Sequence, residues 1–170
     1  MEAEIRSADV SFFLYEKIEN MKEIKEFLMK GELKAAVVNP ELVYNIDVLL
    51  FASHKSLYSL KYSQLKTKTI FTELLYNLSP TRSIRDSLTM FGAQDDGTTA
   101  LFIVFGKEDG ESANSLKTCI KGCLAPIDSL MNLRNLSKIK KVYKISDEIN
   151  DEEAIYNYLV TKVASKEVLL

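Results

Sequence analysis

Histidine occurs once in this chain, at His54, and cysteine twice, at Cys119 and Cys123. His54 falls within a helical pattern among Leu50, Phe51, Leu57 and Tyr58. No nucleophile–base pair is visible around it, so an enzyme working through His54 or a cysteine is disfavoured. The two cysteines sit four apart in a stretch, Ser115–Cys123, that reads as helical. Two thiols cannot complete a structural zinc site, and they read as small core or boundary residues. The six glycines are scattered singly, which excludes a glycine-rich phosphate loop. The acid pairs Asp95-Asp96 and Glu152-Glu153 fall in a turn and at a helix start, where solvent or the helix dipole accounts for them. No catalytic residue, metal or cofactor is expected from this inventory.

Long apolar runs are missing too; none approaches the ~20 residues of a membrane span. The opening Met-Glu-Ala-Glu-Ile-Arg has acids where a signal peptide needs a basic start. With few cysteines, this predicts a protein of the cytoplasm and nucleus. A net charge of −2 and a pI near 5.6 argue against binding nucleic acid with the whole surface. Any such binding must be local.

The charge is unevenly spread. From Val48 to Gly92 stand Lys55, Lys61, Lys66, Lys68, Arg82 and Arg85 against Glu73 and Asp86, a local +4 that leaves −6 for the rest. Within it, Ile70, Leu74 and Leu78, flanked by Phe71 and Leu75, trace an amphipathic helix. Lys66, Thr69, Glu73 and Asn77 fall on the side opposite that stripe. Pro80 should stop the helix near Leu78. Ser83 reads as the N-cap of a second helix with Ile84, Leu88 and Phe91 inward and Gly92 as its C-cap. Two helices and a polar corner thus carry the candidate nucleic-acid contacts Lys61, Lys66, Lys68, Thr69, Asn77, Arg82 and Arg85. Tyr62, Tyr76 and the Arg82 guanidinium are the nearby groups able to stack on bases. A solvated helix face is the competing explanation of the same charges.

The remainder predicts a single α+β domain over residues 1–170. Strands are expected near Val10–Glu16, Ala35–Asn39, Thr99–Gly106 and Lys138–Ser146, forming a mainly antiparallel sheet packed by helices. The unbroken apolar run Thr99–Gly106 belongs in the sheet interior. Asn20 opens a helix that Gly31 closes; Asn45 caps a long helix over Val43–Tyr62, expected to be buried on two sides; Asp151–Ala164 is the last helix. The helices of Val43–Gly92 form a helical lobe. The end, Val168-Leu169-Leu170, is apolar where termini are usually polar, and so is a candidate partner contact.

The motifs Lys66-Thr67-Lys68-Thr69, Glu73, Asn77-Leu78-Ser79-Pro80, Ile84, Leu88 and Phe91-Gly92 resemble the TPRKB family. Val38-Asn39-Pro40, Leu101–Phe105, Val142-Tyr143-Lys144-Ile145-Ser146 and Ser165-Lys166-Glu167-Val168-Leu169 match in the same order. Ser87-Leu88 departs from the commoner Ala-Leu pair. That family is the small kinase-binding subunit of the KEOPS (EKC) complex, which places threonylcarbamoyl on the adenosine next to the anticodon of tRNA. The resemblance implies a non-enzymatic chain that binds a kinase-like ATPase subunit, meets other KEOPS subunits indirectly, and helps hold tRNA by the acceptor end. A protein-only adaptor, its basic strip facing an acidic protein, stays open beside it.

Overall fold

The computed structural model describes residues 10–168. They separate into two compact units, 10–40 with 93–130, and 41–92 with 131–168. Among the described residues there are four strands: β1 (Ser11–Glu16), β2 (Ala36–Val38), β3 (Ala100–Val104) and β4 (Cys123–Ala125). The helices are α1 (Met21–Lys30), α2 (Ile46–Lys61), α3 (Ile70–Leu78), α4 (Ile84–Phe91), α5 (Glu111–Cys119), α6 (Leu130–Leu133), α7 (Leu136–Tyr143) and α8 (Glu152–Ser165). Short 3-10 turns stand at Pro40–Leu42 and Ile127–Ser129. The fold is α+β, as the sequence predicts, and no described helix is long and apolar enough to cross a membrane.

The first unit is an open antiparallel sheet in the order β2-β3-β1-β4. Apolar β3 lies in its interior, paired through Phe102 with Phe13 of β1 and Val37 of β2. All five of its residues are buried, which is why its sequence shows no alternation. Phe13, Tyr15, Val37 and Phe102 pack with Met21 and Ile24 of α1 and Leu116 of α5. Tyr15 meets Phe102 edge-on, centroids 5.7 Å apart. Gly31 ends α1 at φ +73°, a backbone conformation costly for other residues. Asn20 precedes α1 but does not cap it with its side chain. Its amide donates to the Cys119 carbonyl and accepts from Lys121 N–H, tying α1 to the segment after α5.

Two expectations are corrected here. The helix predicted over Ser115–Cys123 stops at Cys119, because Ile120 is extended. Cys123 lies on β4, so the cysteines do not share a helix face. The predicted strand Lys138–Ser146 is instead mostly helix α7. Adjacent Lys140-Lys141 breaks strand alternation, while Leu136, Ile139 and Tyr143 recur at helical spacing. Asn135 caps the helix by accepting from Lys138 N–H at 3.0 Å, and Lys144 closes it at φ 57°. The fourth strand is β4 at the sheet edge, three residues of which Cys123 and Leu124 are exposed, too short to show an alternation.

The second unit is helical. α2 packs on α3 and α8, and α3 packs on α4. The predicted caps form: Asn45 accepts from Val48 N–H at 2.9 Å, and Ser83 from Asp86 N–H at 3.2 Å. Gly92 ends α4 without a left-handed turn; a Cβ there would meet Leu88 O at 2.5 Å, so it serves close approach. Ile155, Leu159 and Val163 of α8 are buried as expected. Tyr143, fully buried, donates to Leu78 O and lies edge-on to Phe91. The second side of α2 is not covered by the described residues: Phe51, Tyr58 and Tyr62 are exposed.

Candidate nucleic-acid interface

α3 organises the site. Thr69 caps its start, accepting from Thr72 N–H at 3.2 Å, while Thr72 answers with its own hydroxyl. Thr69 is exposed, but its hydroxyl is engaged in that capping box. One turn further, Glu73 is buried, and its Oε2 accepts from Lys66 N–H, Thr67 N–H and Thr67 Oγ1, all within 3.0 Å. Three donors converging on one carboxylate fix the loop before the helix. The Lys66 and Lys68 side chains are left exposed.

Past the other end of α3, Pro80 begins the corner that carries Arg82, and Arg85 stands on the first turn of α4; both arginines are exposed. A nine-residue helix rises about 13 Å. The basic residues therefore cluster at both ends of one short helix rather than along its face. Lys61, at the end of α2, is also exposed, with Nζ 5.6 Å from the Tyr62 ring centroid. Tyr62 pairs with Tyr58 at 4.5 Å between centroids; the two residues are 51% and 58% exposed. Tyr62 is thus open to stacking, and Tyr58 joins it. Their i, i+4 spacing was the signal for Tyr58.

The expected polar face of α3 is not solvated. Asn77 is 2% exposed, and its Nδ2 donates to Ser56 Oγ at 2.9 Å, joining α3 to α2. Buried amides need partners, and Asn77 finds its partner inside the unit. Tyr76 is buried as well, with the Lys166 amino group 3.5 Å from its ring centroid, so it offers no face to a base. Burial raises the Tyr76 hydroxyl above its usual range, and the charge and hydrogen bond of Glu167 add to this.

Between α2, the loop before α3 and the end of α8 lies a cleft of roughly 760 Å³. Tyr58, Ser59 and Lys66 stand in its lining with Glu73 and Asn77, and Lys55 faces Glu167 and Val168. Lys55 donates to Val163 O at 2.7 Å, and burial lowers its pKa, opposed by the Glu167 and Glu73 charges. The cleft is mixed in charge and in polarity, with Tyr58 in its wall and exposed cations beside it. Lys55, Tyr58 and Glu167 were not among the sequence candidates, since α2 and the chain end meet only in the fold. Val168, of the predicted apolar tail, is 78% exposed; Leu169 and Leu170 lie outside the described residues. Among the described residues no group of three His, Cys, Asp or Glu side chains could hold a metal ion.

The profile of the family described as kinase binding protein CGI-121 matches residues 15–167. The EKC/KEOPS complex subunit TPRKB of Danio rerio is 27% identical over 160 residues, covering 94% of this chain and 91% of its own. The EKC/KEOPS complex subunit CGI121 of Candida glabrata is 24% identical over 161 residues, 91% of each chain. That of Debaryomyces hansenii is 26% identical, covering 85% of this chain and 82% of its own. The family resemblance read from scattered short motifs is therefore borne out along nearly the whole length, and the chain belongs to the kinase binding protein CGI-121 family.

Proposed function

We propose that the protein is a non-catalytic subunit of an EKC/KEOPS complex that binds the kinase-like ATPase subunit and helps recruit tRNA by its acceptor end for threonylcarbamoyl-adenosine modification next to the anticodon. The observation that carries the reading is the family match over residues 15–167, which takes in both units. The RNA contact is supported by the exposed cations at the two ends of α3 and the open Tyr58–Tyr62 pair. A single-stranded end offers phosphates to lysines and unstacked bases to aromatic rings. Lys61, Lys66, Lys68 and Arg85 are the contacts this reading keeps. Thr69 and Asn77 support the fold behind them. Such a subunit works in the cytoplasm and nucleus.

The apolar tail Val168–Leu170 is the proposed kinase contact. Burying one such side chain at an interface is worth ~1.5 kcal/mol or more, about tenfold in affinity. A chain ending at Glu167 should therefore bind the kinase-like ATPase at least ~10-fold more weakly by calorimetry, with its unfolding temperature unchanged. Equal affinity removes the tail from the interface.

His54 tests the non-catalytic part. Its Nε2 is buried with no hydrogen-bond partner among the described residues. Replacing His54 with Gln should leave the modification rate of the reconstituted complex within a few-fold. A drop of several orders of magnitude in a folded variant would overturn the assignment.

A further inference from the structure

Lys166-Glu167-Val168 forms the turn after α8, and one of its residues is placed unusually. Lys166 is only 6% exposed, although lysine seldom leaves water without a charged partner. Its Nζ donates to Ser79 O at 2.8 Å and to Tyr76 O, with the Tyr76 ring beneath it. Tyr76 O is one of the last four carbonyls of α3, which have no partner within the helix. An amino group from 90 residues away thus caps α3 at the negative end of its dipole. Arg82 answers in the other direction, donating from Nη2 to Lys166 O at 3.2 Å. The turn is closed by Val168 N–H to Ser165 O at 2.8 Å. Ala164, Glu167 and Val168, on either side of Lys166, line the cleft.

We propose that Lys166 is a positioning residue: its amino group, lodged on the C-terminal carbonyls of α3, fixes the turn 165–168 as one wall of the cleft and so sets how an RNA end enters it. The RNA part rests on the function proposed above. Arg82 belongs with this device rather than with the outward cations.

The device has a pH dependence of definite sign. Burial pushes the Lys166 amine down to about 7, Lys55 and Arg82 act the same way, and Glu167 and Glu73 oppose. Tyr76 faces it from α3. In the unfolded chain, or with the turn released, the amine meets water and regains its ordinary value of 10.5. The docked state therefore holds the proton more weakly. Docking is strongest above 10.5, weakens as pH falls toward 7, and is flat below.

The test compares the full chain with Lys166→Met, which keeps length but removes donors and charge. Three readings are taken: denaturant unfolding from pH 7.5 to 9.5, the methyl NMR signals of Val168, and the affinity for a whole tRNA. The unfolding constant of wild type relative to K166M should shift in favour of wild type by roughly tenfold per pH unit. The Val168 signals should move toward free-peptide positions in the variant, and tRNA affinity should fall about tenfold. Should K166M not fold, Arg82→Gln keeps the buried amine and should still move the Val168 signals. Unmoved Val168 signals in the folded variant, or in R82Q where K166M does not fold, overturn the proposal. A difference between wild type and K166M that stays flat from pH 7.5 to 9.5 while the Val168 signals move supports the positioning role and removes only the pH dependence. A turn that responds in a wild-type chain that binds no tRNA supports the positioning role and removes only the RNA reading.

Discussion

Reversing Lys66, Lys68 and Arg85 together to Glu should lower tRNA affinity by at least ~100-fold while kinase binding is kept. The magnitude follows from counterion release. Each phosphate neutralised on a single strand contributes a slope of about −0.7 in log affinity against log salt, or roughly 0.7 log units at ~0.1 M. Removing three such cations from the phosphates lowers affinity by about two log units, and the salt slope should flatten by about two. These side chains are exposed, and among the described residues no hydrogen bond runs through their cationic heads, so the fold should survive. Arg82 is left intact because it holds the Lys166 carbonyl. Filter binding across a salt series reads both quantities. A folded variant that binds tRNA like wild type would leave the strip a solvated face and favour the protein-only adaptor. Trimming the 3′ end from the tRNA gives a second arm: wild-type binding should fall to the variant's level. If trimming changes nothing, RNA still binds but the acceptor-end assignment is lost.

Much of the fold was legible where a local rule acts alone. The β3 run, the caps at Asn45 and Ser83, the stop before Pro80 and the α8 stripe are each set by neighbours in sequence, and each formed. Misreadings came where long-range contact decides. β4 is a strand only because β1 offers an edge, with Glu16 opposite Cys123. α7 is the exception, since its signals are local: its period becomes visible only when Leu136 and the cap at Asn135 are included. The site divides along the same line. Exposed lysines can be counted from a sequence, but polar residues turned inward cannot. Asn77 and Glu73 share the side away from the Ile70–Leu74–Leu78 stripe, as solvated residues would, yet both are buried against other polar groups. The Lys166 device was invisible for the same reason: its acceptors are backbone carbonyls, which no residue type announces.

Glu73 should prove the residue on which fold and site depend together. Its Oε2 takes two backbone N–H groups and one hydroxyl of the loop that presents Lys66 and Lys68. Glu73→Ala strands those donors and opens a cavity in a buried position. Leaving a buried donor unsatisfied costs ~1–3 kcal/mol; the two amides are only part-buried and count at the low end, so with the lost packing the variant stands about 3 kcal/mol below wild type. For a chain of this size, that corresponds to a fall of roughly 6–12 °C in melting temperature. Glu73→Gln keeps the shape and a carbonyl acceptor but loses the charge, and should cost nearer ~1 kcal/mol. The two variants should also separate on RNA. With the loop released, E73A should bind tRNA more weakly than E73Q even at temperatures where both are folded, because the lysines lose their fixed spacing and must be ordered on binding. Differential scanning calorimetry gives the first comparison and salt-series binding the second. Equal melting temperatures for the two variants would show that the converging hydrogen bonds do not hold the loop. Equal tRNA affinities despite unequal melting would show that the loop's order matters to the fold and not to the site.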